Sequence, residues 1–345
     1  MFFRCGMMDS MKISKETMQD VFKTILLKHG FSDSDAAESA AIFVQNSLDG
    51  VYSHGVNRFP RVVEYLKKGY IDPNALIEVE GSFGCIERWN ANLGMGNLTA
   101  KKAMKRAIEL AAFHGMGCVA VRNTNHWMRG GTYGWQAAEA GCIGMCFTNT
   151  LPNMPAWGAR NGRIGNNPFV LAIPRANGEH IVVDMAMAQY SYGKIEEARL
   201  ADRQLPYPGG YDSDGNLTTD PKAIEETGRV LPIGYWKGSS LALVLDAVTS
   251  VLSGGNSTQA IGKLCEDEIA ISQTFIAIDP YRLGTREEAE RILEGIIEDL
   301  KRSEPIDPDI PVFYPGERTI ATRRINTKDG IPVTPGVWQA IMALR

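Results

Sequence analysis

Two short stretches of this chain gather side chains able to move protons and hold anions. The first is Tyr52-Ser53-His54-Gly55-Val56-Asn57-Arg58-Phe59-Pro60, where a hydroxyl, an imidazole, an amide and a guanidinium fall within six residues, just before a helical pattern. An imidazole can donate a proton near neutral pH, and a guanidinium can clamp a carboxylate through two parallel bonds. A polar helix entrance has the same composition, so spacing alone leaves both readings open. The second is Asn123-Thr124-Asn125-His126-Trp127-Met128-Arg129-Gly130-Gly131, directly after a strand pattern. Strand ends opening into glycine-rich loops are where α/β folds place ligands, although Trp127 fits a core position and Arg129 a surface charge equally well.

The other histidines have plainer readings. His29 and His114 each precede a glycine at a helix C-terminus, where an imidazole meets end carbonyls and the macrodipole. His180 flanks a hairpin turn. Among the glycine-rich segments, Gly94-Met95-Gly96-Asn97-Leu98-Thr99 lacks the third glycine of a dinucleotide fingerprint, and no P-loop is present. Asp212-Ser213-Asp214-Gly215 is a turn rather than a calcium loop, because the distal glutamate is missing. Tyr235-Trp236-Lys237-Gly238-Ser239 suits phosphate better: it enters a long apolar helix whose first N–H groups attract anions. Asp184, at a strand end, is placed to contact a nucleotide or cap a turn. Asp246, inside the apolar helix, reads as part of a buried network.

The elements that must position these groups follow from periodicity. Met18, Val21, Phe22, Ile25 and Leu26 mark one helix face starting at Ser14, and His29-Gly30 ends it. Ser32 with Asp35 resembles a capping box ahead of Ala36, Ala40, Val44 and Leu48. A third helix begins near Pro60, so the chain opens with a small helical lobe. Helices are then expected near Asn97–Ala112, Tyr133–Ala140 and Ser239–Leu252, and strands at Cys118–Val121, Cys142–Thr148 and Thr274–Ile278. Phe169–Ile173 and Ile181–Met185 flank Asn177-Gly178, a hairpin turn signal. Apolar spacing from Ala289 to Leu300 marks a further helix, and Thr334-Pro335 opens the last one. Alternation of helices and strands with a hairpin predicts a mixed sheet.

Composition narrows the function classes. The 36 basic and 40 acidic side chains leave a net charge of −4, no footprint for nucleic acid or an anionic membrane. No apolar run approaches the ~20 residues of a membrane helix. The six scattered cysteines lack paired CxxC spacing, which argues against zinc and for buried thiols in a reducing, cytoplasmic setting. Residues 1–10 read as an extension or an early start, since helical patterning begins only at Ser14.

Together the segments resemble the malate and L-lactate dehydrogenase family that lacks the usual Rossmann domain. The matching stretches begin with Val51 to Arg61, Asn125-His126-Trp127-Met128-Arg129-Gly130-Gly131 and Tyr133 to Glu139. They continue with Pro155-Ala156-Trp157-Gly158-Ala159, Ser191-Tyr192-Gly193 and Arg203-Gln204-Leu205-Pro206. The last are Tyr235 to Ser239 and Tyr314-Pro315-Gly316-Glu317. The Trp127-Met128-Arg129 insertion is the more specific pointer to the branch that acts on diketo sugar acids.

The resemblance implies an α/β fold of the L-sulfolactate dehydrogenase type: a mixed seven-stranded sheet flanked by helices, with a helical N-terminal lobe. Residues 11–80, joined by 325–345, would form the substrate and dimer lobe, and 81–324 the NADH-binding domain. It implies a homodimer using NADH, with NADPH less favoured, and reducing a small 2-oxo acid, 2,3-diketo-L-gulonate to 3-keto-L-gulonate. His54 matches the proton donor. Ser53, Arg58, His126 and Arg129 would bind substrate. The cofactor would lie on His180, Ile181, Val182, Val183, Asp184, Met185 and Ala186, on Trp236 and Lys237, and on Gly316, Glu317 and Arg318. Malate, lactate, ureidoglycolate or a cyclic ketimine are the alternative substrates within the family. A non-catalytic sugar-acid or nucleotide binding protein is the alternative outside it.

Overall fold

The computed structural model describes residues 10–345, so the expected extension lies, apart from Ser10, outside the described residues. Strand β1 (Met11–Ile13) leads into helix α1 (Lys15–Lys28), capped by Ser14, whose hydroxyl accepts the Thr17 N–H. All five apolar residues of the expected stripe are buried. Ser32 caps α2 (Asp33–Leu48) in the same way through the Asp35 N–H. Two 3-10 turns, Tyr52–His54 and Val56–Arg58, precede α3 (Phe59–Lys67), with Pro60 in its first turn. Phe22 and Phe59 stack at 4.0 Å between centroids, and Phe43 meets both edge-on.

The middle of the chain builds the sheet. A hairpin, β2 (Glu78–Phe83) and β3 (Ile86–Asn90), is followed by α4 (Gly96–His114), β4 (Met116–Thr124), α5 (Gly131–Glu139) and β5 (Ile143–Thr148). A small pair, β6 (Met154–Pro155) and β7 (Gly162–Ile164), leads to β8 (Phe169–Ile173) and β9 (Ile181–Met185). Then come α6 (Tyr192–Leu200), the pair β10 (Gly210–Tyr211) and β11 (Leu217–Thr218), and α7 (Pro221–Thr227). Next are α8 (Trp236–Ser253), α9 (Thr258–Leu264), β12 (Ile271–Ile278), α10 (Arg286–Lys301) and α11 (Glu317–Asp329). The chain closes with β13 (Ile331–Val333) and α12 (Pro335–Met342).

The sheet has the order β2-β3-β4-β12-β5-β8-β9. Only β3 and β4 run parallel; every other neighbouring pair is antiparallel. The sheet is therefore mixed, as expected, with β8 and β9 paired from Ile173 opposite Ile181. Alternate residues of β5 face opposite layers. Cys146 packs in the core shared with α4 and α5, and Phe147 in the core shared with α8.

The helical lobe is closed by the end of the chain. β13 pairs with β1, and Ile331, Trp338 and Ile341 join Phe22, Phe43 and Phe59 in one core. The expected limits at 80/81 and 324/325 fall inside β2 and α11. Of the described cysteines, Cys118, Cys142 and Cys146 are buried as expected, whereas Cys85 and Cys265 are only partly so; Cys5 lies outside the described residues.

Candidate active site

His54 sits on the first 3-10 turn, held from α2. The Asn46 amide donates to the His54 carbonyl at 2.9 Å, and Ser47 Oγ accepts the Val56 N–H at 2.9 Å. Ser53 Oγ lies 2.9 Å from His54 Nδ1. His126 comes from the loop after β4, packed hard onto α4. A Cβ on Gly96 would fall 2.1 Å from the Asn125 carbonyl oxygen, so this glycine serves close approach rather than phosphate. The rings of His54 and His126 lie 5.6 Å apart and nearly parallel.

The second ring is fixed in one tautomer. His126 Nδ1 accepts the Met128 N–H at 2.9 Å, which leaves the proton on Nε2. Met128 turns that N–H inward by adopting φ +69°, a left-handed conformation costly for a side chain of this kind. Burial, and then the Arg58 charge, hold His126 well below the ordinary histidine range. Burial and Arg58 likewise bring His54 down to about 4, with Asp184 pulling the other way. Arg58 is itself depressed by burial, offset by the charge of Glu268. Arg61 leans on Asp267 at 3.6 Å. Arg58, by contrast, has no ion-pair partner among the described residues.

Arg129 departs from the expectation that it binds substrate. Its side chain is only 5% exposed, its Nη1 donates to Asp49, and its Nε lies 3.5 Å from Asp184. Arg323 of α11 grips the same Asp49 carboxylate at 2.6 and 3.0 Å. A guanidinium so enclosed is committed to the protein. Its neighbours are structural too: Trp127 packs against Tyr133 and Phe275, and Met128 enters the core of the helical lobe. The insertion therefore staples the lobe to the sheet, which is why it need not face a ligand.

The three stretches expected to hold a cofactor all border β9, an edge strand about 17 Å long at ~3.3 Å per residue. At its start the Val182 N–H donates to the Pro315 carbonyl at 2.9 Å. Gly316 follows at φ +99°, where a Cβ would sit 2.9 Å from the His180 carbonyl oxygen. Past its end, the Ile233 N–H donates to the Met187 carbonyl at 2.8 Å, and the chain then turns at Tyr235 into Trp236 and Lys237 of α8. Ile181, Val183, Met185 and Ala186 are partly exposed along this edge, and Val182 is buried. Trp236 is open, with the Lys237 ammonium 6.0 Å from its ring.

Several side chains on these stretches are occupied otherwise. His180 is buried, its Nδ1 accepting the Arg175 N–H at 3.0 Å to close the hairpin. Asp184 accepts the Gly131 N–H at 2.9 Å at the start of α5, so its carboxylate caps a helix next to His54. Glu317 pairs with Lys301 and accepts the Tyr314 N–H at 3.1 Å. Arg318 lies over the Phe313 ring. Asp246 binds Asn149, Ser250 and the Thr258 N–H, the internal network expected of it.

The sequence profile of malate/L-lactate dehydrogenase matches residues 13–342. The chain belongs to this family. A protein of Klebsiella pneumoniae (strain 342) named 2,3-diketo-L-gulonate reductase is 46% identical over 334 residues, 97% of this chain and 100% of that one. The structure of sulfolactate dehydrogenase from Methanocaldococcus jannaschii is similar with a TM-score of 0.87 and 31% identity, covering 97% of this chain and 96% of that one. Malate dehydrogenase from Entamoeba histolytica gives a TM-score of 0.92 at 25% identity, covering 97% of each chain.

As a malate/L-lactate dehydrogenase family member the chain is an oxidoreductase, and the family points to a nicotinamide cofactor. Three residues around its site escaped the sequence: Asp49, Arg323 and Glu268. Asp49 ends a helix and Arg323 sits in a polar one, so neither stands out by type or spacing. Glu268 lies in an acidic loop that reads as solvated, yet it is buried.

Proposed function

We propose that this protein is an NADH-dependent reductase of a 2-oxo sugar acid, converting 2,3-diketo-L-gulonate to 3-keto-L-gulonate. The observation that carries the reading is the pairing of an uncommitted, half-buried Arg58 with His54 on consecutive turns, with the Asp184 carboxylate of β9 acting on His54. The name and coverage of the 46%-identical relative support the substrate.

Arg58 would hold the C1 carboxylate in its two-pronged fork. Neutralising Arg58 removes the largest charge effect that keeps His54 unprotonated, so carboxylate binding raises the basicity of His54 and draws in a proton. His54, now an imidazolium, gives that proton to the C2 carbonyl oxygen as negative charge gathers there. Ser53 orients the ring through Nδ1, and Asp184 favours its charged form. Bound reduced nicotinamide supplies the hydride. The β9 edge, Lys237 and the Gly316-Glu317-Arg318 turn would hold that cofactor through backbone groups and one mobile cation. With Asp184 engaged at the α5 terminus, the preference for NADH over NADPH rests on the family resemblance.

The proposal takes residues 11–80 with 325–345 as the substrate and dimer lobe, and 81–324 as the cofactor domain. It includes a homodimer, supported by the exposed Leu243, Val244, Val248 and Val251 on the outer face of α8. Free cysteines support a cytoplasmic location; no single described helix is long and apolar enough to cross a membrane. Loss of NADH absorbance with a panel of 2-oxo acids tests the whole reading. Reduction of 2,3-diketo-L-gulonate well above malate- and lactate-type 2-oxo acids is expected, and no turnover with any of them would overturn it.

A further inference from the structure

Glu268 is a carboxylate that the mechanism above leaves unused. It stands in the loop between α9 and β12, with the residue 9% exposed. Its Oε2 accepts the Leu151 N–H at 3.3 Å, while Oε1 is buried without a hydrogen-bond partner among the described residues. That bare oxygen lies 4.0 Å from His126 Nε2. The loop is pinned in place around it. Asp267 binds Tyr65 of α3 at 3.0 Å and Lys68 just past its end at 2.9 Å, Asn256 donates to the Ala270 carbonyl at 2.9 Å, and Ala270 takes φ +51°. Leaving a buried acceptor unpaired is costly, and a pinned, strained loop does not produce it by accident.

The chemistry of the gap is specific. His126 Nε2 carries a proton, because Nδ1 already accepts from Met128. A separation of 4.0 Å is too long for a direct hydrogen bond. One oxygen placed ~2.8 Å from each atom would serve both. Burial pushes the Glu268 carboxyl up and the Arg58 charge opposes that. With Glu268 ionised, the bridging oxygen must donate to Oε1 and accept from Nε2–H, which a hydroxyl does. A ketone oxygen has no proton for the carboxylate, and a methylene leaves both groups unpaired. Arg58 and His126 line the same small cavity, so the hydroxyl belongs to the molecule whose carboxylate Arg58 holds.

We infer that Glu268 Oε1 and His126 Nε2 together read a hydroxyl on the carbon beyond the reacting carbonyl, an alcohol or a hydrated ketone. Resting on the reductase reading, this makes Glu268 a specificity-determining residue that selects oxygenated sugar acids over plain 2-oxo acids.

The test compares kcat/KM for hydroxypyruvate and pyruvate, which differ by that one hydroxyl. Wild-type protein should prefer hydroxypyruvate at least about tenfold, since a buried polar pair rejects the analogue that leaves it unpaired. In Glu268→Gln, which keeps the shape and the acceptor for Leu151, the two values should come within about threefold, the loss falling mainly on hydroxypyruvate. Glu268→Asp, one methylene shorter, should keep part of the preference. Equal proportional losses on both acids would mark a structural role and overturn the inference. So would a wild type that turns over both acids equally well, whatever the variants do, and the reductase reading would then still stand. A wild type that reduces no 2-oxo acid removes that reading, and the inference with it.

Discussion

Arg58 follows His54 by four positions and Arg129 follows His126 by three, so the two motifs offer the same pair of chemical groups. Their surroundings separate them. Arg129 is enclosed by the carboxylates of Asp49 and Asp184, and Arg323 completes the network from α11. Arg58 is depressed by burial, feels Glu268 only at a distance and has no ion pair among the described residues, so its fork is left for a ligand. The difference teaches that an arginine near a histidine becomes a ligand clamp only where no protein carboxylate closes into an ion pair with it. A matched charge holds the fold, and an unmatched, partly desolvated one waits for an anion.

Breaking the matched side should produce the largest effect. Asp49 is 1% exposed at its side chain and accepts from Arg129, Arg323 and Gln45. Asp49→Asn keeps the shape but strands two guanidinium groups, so unfolding free energy should fall by about 3–5 kcal/mol. Denaturant titration reads it directly. A loss under about 1 kcal/mol, the scale of exposed pairs, would mean the network is solvated rather than committed.

On the unmatched side, His54→Ala should lower kcat at least ~100-fold, roughly 2.7 kcal/mol, with NADH affinity retained. The pH dependence carries a sign. Burial and Arg58 hold His54 down to about 4 in the free protein, so its protonated form thins out as pH rises above that value. The kcat/KM for reduction should therefore fall with rising pH from about 5 upward, and that for oxidation of the hydroxy acid, which needs the neutral ring, should stay flat. A reduction profile level to pH 6.5 would show that another group gives the proton.

Arg58→Lys sharpens the comparison at a smaller cost. An ammonium keeps the charge and loses the planar fork, so KM for 2-oxo acids should rise about tenfold while stability and NADH affinity hold. The same conservative change at Arg129 should instead register in stability, because its partners are protein carboxylates. Weaker NADH binding with unchanged KM in Arg58→Lys would move Arg58 to the cofactor site.

Much of the architecture was legible in the sequence because burial imposes a period. The α1 stripe, the Ser14 and Ser32 caps and the β8–β9 hairpin follow from local chemistry, and all lie where the pattern sets them. The β2–β3 hairpin was not legible: all six β2 residues are exposed, so alternation has no buried face to mark. Helix α11 escaped for the same reason, with Asn326 its one buried residue among the described ones. Sheet order is a long-range property, and no local signal places β12 between β4 and β5. At the site, residue type singled out His54, Arg58 and His126. It did not tell Arg58 from Arg129, because their difference lies in Asp49, eighty positions from Arg129 along the chain.

The smallest effect belongs to the cofactor edge, where the contrast between a matched and an unmatched charge recurs. Lys237 opens α8 beside the exposed Trp236, with no ion pair among the described residues, while Glu317 at the other end of β9 is neutralised by Lys301. An anionic phosphate would find its counter-charge at Lys237 and not at Glu317. Lys237→Ala should therefore weaken NADH binding several-fold, since an exposed cation contributes at most about 1 kcal/mol to an anion. The protein should stay folded, because Lys237 is open to solvent. Raised salt should weaken the wild-type affinity and leave the variant less affected, as screening acts on the charge that was removed. Titration of nicotinamide fluorescence at two ionic strengths measures both quantities. Equal affinity and equal salt response in the two proteins would take the phosphate away from α8 and leave backbone groups of β9 as its remaining support.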